Sequence, residues 1–307
     1  MATAAIDWTA PAPPGFRGGA VTVGNFDGVH RGHRALVAAA ARWAGRVGGP
    51  AVAVTFDPPP YSVLFPGTPP RAPLTTLPER AALLHAAGAD HVAVLRTDPT
   101  LLALSPEAFV GEVVVRLFGA GAVVEGYNFR FGRDRAGNTG VLRGLCAAAG
   151  VAFEEVPPLA VGGEVVSSSR VRVAVVGGDV AGAAELLGRA YRIAGVVVGG
   201  ARRGRTIGFP TANLADVPTV LPGNGVYAVR ARAEGRSWAA AANVGSNPTF
   251  GDAARKIEVH LIDFSGDLYG RPLGVEFVRK LRDTRPFAGA ADLVEQLKAD
   301  VAAARTA

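Results

Sequence analysis

Residues 21–33 read Val-Thr-Val-Gly-Asn-Phe-Asp-Gly-Val-His-Arg-Gly-His. An apolar run suited to a buried strand meets a glycine-bearing turn and passes into residues 34–41, whose composition is helical. Few folds accept a strand, a tight turn and a helix start in that order. Glycine keeps side chains away from the backbone there, and the first amides of a helix lack internal partners, so phosphate is favoured at this corner. The turn Gly24, Asn25, Phe26, Asp27 and Gly28 is therefore the candidate nucleotide cradle. His30 and His33 lie three apart, hence on one helical face, where imidazoles can donate to oxygens that gain charge during transfer. A lone G-x-x-x-G means little in a chain with 40 glycines. The H-x-G-H spacing in a strand-turn-helix setting is far more specific.

The same rhythm continues through apolar runs at 51–56, 91–95, 122–125 and 151–153, with helical patterns at 77–87, 105–118 and 139–149 between them. Alternation of this kind implies an α/β doubly wound, mostly parallel sheet with helices on both faces and ligands beyond the carboxyl ends of its strands. The proline-rich stretch 57–73 is expected outside the sheet.

Near Leu186 the rhythm changes. Short β-like runs follow at 196–198, 225–232, 238–243, 257–264 and 273–278, separated by Gly/Pro turns, which implies an antiparallel β-barrel or sandwich. Leu293, Leu297 and Val301, at steps of four, mark a C-terminal helix. The predicted domains are 1–186 and 187–307. A length of 307 residues, 49% of them hydrophobic, suffices for two cores.

A single cysteine, Cys146, excludes an internal disulfide framework and a cysteine metal cluster, and fits a reducing cytoplasm. No uncharged apolar run is long enough to cross a bilayer, so no membrane partner is expected. The net charge of +6 admits polyanions without choosing among them. No cluster of arginines with interleaved stacking aromatics supports nucleic acid as a partner. Lysine occurs only at 256, 280 and 298, so the first half cannot use a Walker-A lysine and must bind phosphate through backbone, histidine and arginine.

Two strings in the second half carry chemistry. In Gly204-Arg205-Thr206-Ile207-Gly208-Phe209-Pro210-Thr211-Ala212-Asn213, Pro210 favours extended backbone, so Thr211 and Asn213 point the same way. Two neutral oxygens on one face suit Mg²⁺ beside nucleotide phosphates, although P-T-x-N alone is equally an ordinary turn into a strand. The run 256–263 alternates, with Ile257, Val259 and Leu261 inward and Glu258 and His260 opposite.

The string G-N-F-D-G-V-H-R-G-H resembles the H-x-G-H nucleotidyltransferases, and in particular the adenylyltransferase half of bifunctional riboflavin kinase/FAD synthetases. Three further strings extend the resemblance along the chain. Gly126-Tyr127-Asn128-Phe129-Arg130-Phe131-Gly132 and Ser167-Ser168-Ser169-Arg170-Val171-Arg172 are similar to elements of the first half, and Gly204–Asn213 resembles the flavokinase signature. The resemblance implies that Asn128 contacts nucleotide or flavin, with Arg135 a lesser candidate. It implies that Ser168 and Ser169, the latter where threonine is usual, bind phosphate oxygens and that Arg172 stabilises the leaving pyrophosphate. In the second half it implies Gly204 and Gly208 at the nucleotide, Thr211 and Asn213 on Mg²⁺, and Glu258 as base on the ribityl hydroxyl, with His260 structural. The implied activity converts riboflavin and ATP to FMN, then FMN and ATP to FAD and pyrophosphate. The alternative is a nucleotidyltransferase acting on another phosphorylated metabolite. Pro59, Thr97 and Thr284 depart from the family pattern at positions that bear on flavin binding. Oligomeric state is not readable from the sequence.

Overall fold

The computed structural model describes residues 1–69, 71–200, 204, 207–247 and 252–307, with backbone alone at 246, 247 and 252–255. Arg205 and Thr206 of the second-half signature lie outside the described residues. The chain packs as two compact units, Met1–Arg71 with Leu77–Val166, and Ala72–Thr76 with Ser167–Ala307.

The first unit contains strands β1 (Ala2–Ile6), β2 (Ala20–Val23), β3 (Ala51–Asp57), β4 (His91–Arg96), β5 (Ala122–Gly126) and β6 (Ala152–Val156), and a small hairpin, β7 (Ala160–Val161) with β8 (Glu164–Val165). Its helices are α1 (Arg31–Val47), α2 (Pro60–Leu64), α3 (Leu77–Ala86), α4 (Pro99–Leu102), α5 (Pro106–Phe109), which continues as π-helical Val110–Leu117, and α6 (Thr139–Ala148). The large sheet has the order β1-β4-β3-β2-β5-β6, and every pair in it is parallel. Strand alternation separates its two faces. Ala20, Ala51 and Ala122 meet Ala39, Ala40 and Ala44 of α1, so the helix sits close on small side chains. Val21, Val23, Val52, Val54 and Val123 face the opposite way, onto Val113, Leu117 and Leu142. The β1 edge strand was not legible in the alanine-rich start; it pairs in register with β4, Ala2 to His91 through Ile6 to Leu95.

Because β3 and β4 lie on one side of β2 and β5 on the other, the order in which strands are added reverses between β2 and β5, although all stay parallel. The β2/β5 pairing covers only Ala20 with Ala122 and Val21 with Val123, so the two strands part before their carboxyl ends. Ligands of such sheets bind in that crevice.

The second unit opens with α7 (Ser168–Gly177) and α8 (Val180–Leu187), followed by β9 (Tyr191–Val198), β10 (Ala212–Ala215), β11 (Gly225–Ala233), β12 (Arg236–Asn247), β13 (Asp252–Leu261) and β14 (Pro272–Arg282), and α9 (Ala290–Arg305). The six strands form a closed barrel in the order β10-β13-β12-β11-β14-β9, all antiparallel, which leaves no open sheet edge. Tyr191, Ile193, Tyr227, Val229, Val259 and Phe277 are among its buried side chains. Ala228, Ala239 and Ala241 are small enough for α9 to pack against the outside through Val301 and Ala304. Arg282 of β14 fixes that helix by donating from Nε and Nη2 to the buried carboxylate of Asp300, at 2.8–3.1 Å.

Candidate active sites

In the first unit β2 ends at Val23, and the chain turns through Gly24–Val29 before His30 caps α1. Gly28 adopts φ +83°, and Phe26 (+47°) and Val29 (+39°) are also left-handed, which is costly for a β-branched residue. Both side chains are buried, so packing holds the turn. The Thr55 hydroxyl donates to the Asn25 carbonyl (3.2 Å) and the Gly24 N–H to the Val54 carbonyl (2.9 Å), fixing the turn to β3. A side chain at Gly32 would crowd the His30 ring, its Cβ 3.2 Å from Nδ1, which explains the glycine between the two histidines.

Nδ1 of His30 accepts from the His33 N–H at 3.3 Å. The His30 proton therefore resides on Nε2, which is left as a donor. The two rings stack with centroids 3.6 Å apart, and the Phe26 ring meets His33 edge-on. Burial first, then the neighbouring His30 and Arg80, pushes His33 well below the ordinary histidine range. At neutral pH His33 is an uncharged imidazole, and its Nδ1 is buried with no hydrogen-bond partner among the described residues.

Arg80 escaped the sequence reading. It lies on α3, whose apolar spacing marks a helix but not which polar residue turns inward. Its side chain is 7% exposed, its Nη2 stands 3.6 Å from Oδ1 of Asp27, and Nη1 reaches the Thr55 hydroxyl at 3.5 Å. A buried guanidinium thus braces the turn from below through Asp27. Beyond β5, Asn128 is exposed, whereas Phe131 enters the core and stacks on Phe129. Glu125, the last charged residue of β5, is buried and likewise went unremarked in its apolar run.

Ser167, not Ser168 or Ser169, caps α7 by accepting from the Arg170 N–H. Ser168 and Ser169 occupy the first turn, and Arg172 on the next donates from Nη1 to the Ala72 carbonyl at 2.7 Å.

In the barrel, the Gly204 carbonyl accepts from the Phe209 N–H at 2.8 Å, closing the loop that carries Gly208 at φ +87°. A Cβ at Gly204 would strike the Phe209 carbonyl at 2.2 Å, and one at Gly200 would strike the Asn213 amide at 2.3 Å. The absence of both side chains lets Phe209 and Asn213 pack directly on the glycine backbone, and a hydroxyl with an amide oxygen is the neutral, hard donor set Mg²⁺ accepts. Asn213 is paired directly with Glu258 across β10 and β13, and Glu258 with Asn243 across β13 and β12. Directly paired residues present their side chains on the same face, so the three form one row. Asn243 is a further residue missed in the sequence, where it closes an unremarkable strand. His260, two residues beyond Glu258, bonds through Nδ1 to the Pro210 carbonyl at 2.8 Å and meets the Phe209 ring edge-on. It anchors the signature loop to β13. Among the described residues no group of three or more His, Cys, Asp or Glu could hold a metal. A cavity of about 570 Å³ lies between the end of β14 and α9, lined by Leu281, Arg282, Arg285, Gln296 and Ala303 among others.

Comparison with known proteins gives these sites a family. Residues 187–307 match the riboflavin kinase family and residues 13–170 the FAD synthetase family. A bifunctional riboflavin kinase/FMN adenylyltransferase of Pseudomonas fluorescens is 40% identical over 95% of this chain and 94% of its own. Proteins with the same description from Escherichia coli K12 and Bacillus subtilis are 36% and 34% identical, over 93% and 91% of this chain and 91% and 89% of theirs. A crystal structure described as a macrolide-efflux protein from Streptococcus pneumoniae superposes with a TM-score of 0.89 at 31% identity, covering 99% of this chain and 98% of that one. No helix among the described residues is long and apolar enough to cross a membrane. With two matched families in tandem and relatives of both activities covering nearly its whole length, the chain belongs to the bifunctional riboflavin kinase/FMN adenylyltransferase family.

Proposed function

We propose that residues 187–307 phosphorylate riboflavin with ATP, and that residues 1–186 adenylylate the resulting FMN with a second ATP, giving FAD and pyrophosphate. The observation that carries this reading is the tandem match of both families, 13–170 and 187–307, to one chain.

In the kinase, Glu258 takes the proton of the ribityl hydroxyl as its oxygen attacks the γ-phosphorus, the bond to the β-phosphate oxygen breaks, and ADP leaves. The pairing of Glu258 with Asn213 supports this, since it sets the base on the same face as the metal-binding amide. Thr211 and Asn213 would hold Mg²⁺, which when bound neutralises charge on the transferred phosphates. Gly204 and Gly208 let the loop backbone approach the nucleotide.

In the transferase, an FMN phosphate oxygen attacks the α-phosphorus and the bond to pyrophosphate breaks. The phosphate is already anionic at neutral pH, so no base is required. The turn 24–28, His30 and His33 donate to the oxygens that gain charge, and two neutral imidazoles suit that role. Asn128 contacts nucleotide or flavin, Ser168 and Ser169 bind phosphate oxygens, and Arg172 stabilises the departing pyrophosphate. We place the enzyme in the reducing cytoplasm, in keeping with its one cysteine, free and buried.

Riboflavin, ATP and Mg²⁺ incubated with the full chain, followed by separation of the flavins, tests the reading: FMN and then FAD are expected. ATP consumption without flavin conversion would instead favour another phosphorylated acceptor.

A further inference from the structure

Glu125 is a carboxyl group where the fold has no evident use for one. It stands next to last in a buried parallel strand, is 1% exposed, and pairs in the sheet with Glu155 of β6. On the other side the β2 ladder has already ended at Val21, so the Val23 N–H has no strand partner in β5. The Glu125 side chain fills that gap: the Val23 N–H donates to its Oε1 at 2.6 Å. This bond sits at the point where the strand order reverses. Its two ends are one residue from Gly24, where the phosphate turn begins, and three from Asn128.

We propose that Glu125 is a positioning residue for adenylyl transfer, its side chain tying the end of β2 to the end of β5 and so setting the spacing between the Gly24 turn and the Asn128 loop. The inference rests on the first unit being the FMN adenylyltransferase. A backbone ladder continued to Val23 would close the crevice, and no bond at all would leave a buried N–H unsatisfied and the turn free to shift. A side chain spanning the same gap holds the strands apart at a fixed distance. Displacement of reacting groups by about 1 Å can cost roughly a hundredfold in rate.

Burial of the carboxyl favours its neutral form, which accepts from the Val23 N–H as well as the anion does. Burial drives the carboxyl well above its ordinary range, against the smaller opposing effect of the Val23 hydrogen bond. The titratable group the structure sets against it is Cys146 of α6, whose thiol is raised to about 11 by burial and then by Glu125.

Glu125→Gln keeps the acceptor and cannot ionise; Glu125→Leu keeps the bulk and has no acceptor. FAD formation from FMN and ATP is measured on the full-length variants, with riboflavin phosphorylation by the same samples as the internal control. Glu125→Gln should stay within about threefold of the wild type, while Glu125→Leu falls at least tenfold in kcat for FAD formation with kinase activity retained. Full adenylylation by Glu125→Leu, or equal losses in both variants, would overturn the proposal. Should Glu125→Leu not fold, Glu125→Met is measured in its place, and full adenylylation by that variant would overturn the proposal as well. Failure of the wild type itself to make FAD would instead overturn the assignment of function on which the proposal rests.

Discussion

Asn213 of β10 and Glu258 of β13 face one another as directly paired residues of the closed barrel. The amide proposed to hold Mg²⁺ and the carboxylate proposed as base thus share one face at the spacing of adjacent strands, about 5 Å. Replacing Asn213 with Ala should raise the Mg²⁺ concentration for half-maximal riboflavin phosphorylation by roughly tenfold, the loss of a contact worth about 1.4 kcal/mol. A Mg²⁺ titration of both activities checks this, with FAD formation from FMN unchanged.

His260 bonds to the Pro210 carbonyl and meets the Phe209 ring, the two residues that precede Thr211. His260→Ala removes one hydrogen bond and a ring contact, together about 1 kcal/mol. Steady-state kinetics of the kinase should show the KM for ATP raised about fivefold, with kcat changed less.

Arg80 both pairs with Asp27 and lowers the proton affinity of His33. Arg80→Met should therefore raise the His33 pKa, readable from imidazole proton shifts in an NMR titration. It should also cost stability by removing the partly buried ion pair with Asp27, by about 3 kcal/mol at most because Asp27 keeps some contact with water. In the wild type the depressed His33 pKa stabilises the fold fully above the unfolded value near 6.5, and that contribution is lost as pH falls toward the folded value.

Glu125 gives the opposite sign. Its raised pKa means that the stability it contributes is fully present below the unfolded value of 4.5 and is lost as pH rises toward the folded one. Melting temperatures should diverge with increasing pH, Glu125→Gln becoming the more stable protein by about 1.4 kcal/mol for each unit of pH between those values.

Much of this was legible because short-range rules decide it. The strand-turn-helix at Val21–His33 announced itself through glycine and histidine spacing, and alternation around Glu258 marked a strand with an outward carboxylate. Arg80, Glu125 and Asn243 were illegible for a common reason. Each lies in an element whose local pattern is ordinary, and its importance comes from a partner far along the chain: Asp27, Val23 and Glu258. The β1 strand escaped because alanine has little strand preference, and only pairing with β4 makes it one. Ser167 caps α7 because its backbone is extended there, ahead of the helical Ser168.

The most direct measurement is of both reactions in a Glu258→Gln protein. Supplied with riboflavin, ATP and Mg²⁺, it should form FMN at least a hundredfold more slowly than the wild type, as expected for the loss of a general base. Supplied with FMN and ATP, it should form FAD at the wild-type rate. Undiminished FMN formation from riboflavin would contradict the assignment of Glu258, and loss of both reactions together would contradict two separate sites in one chain.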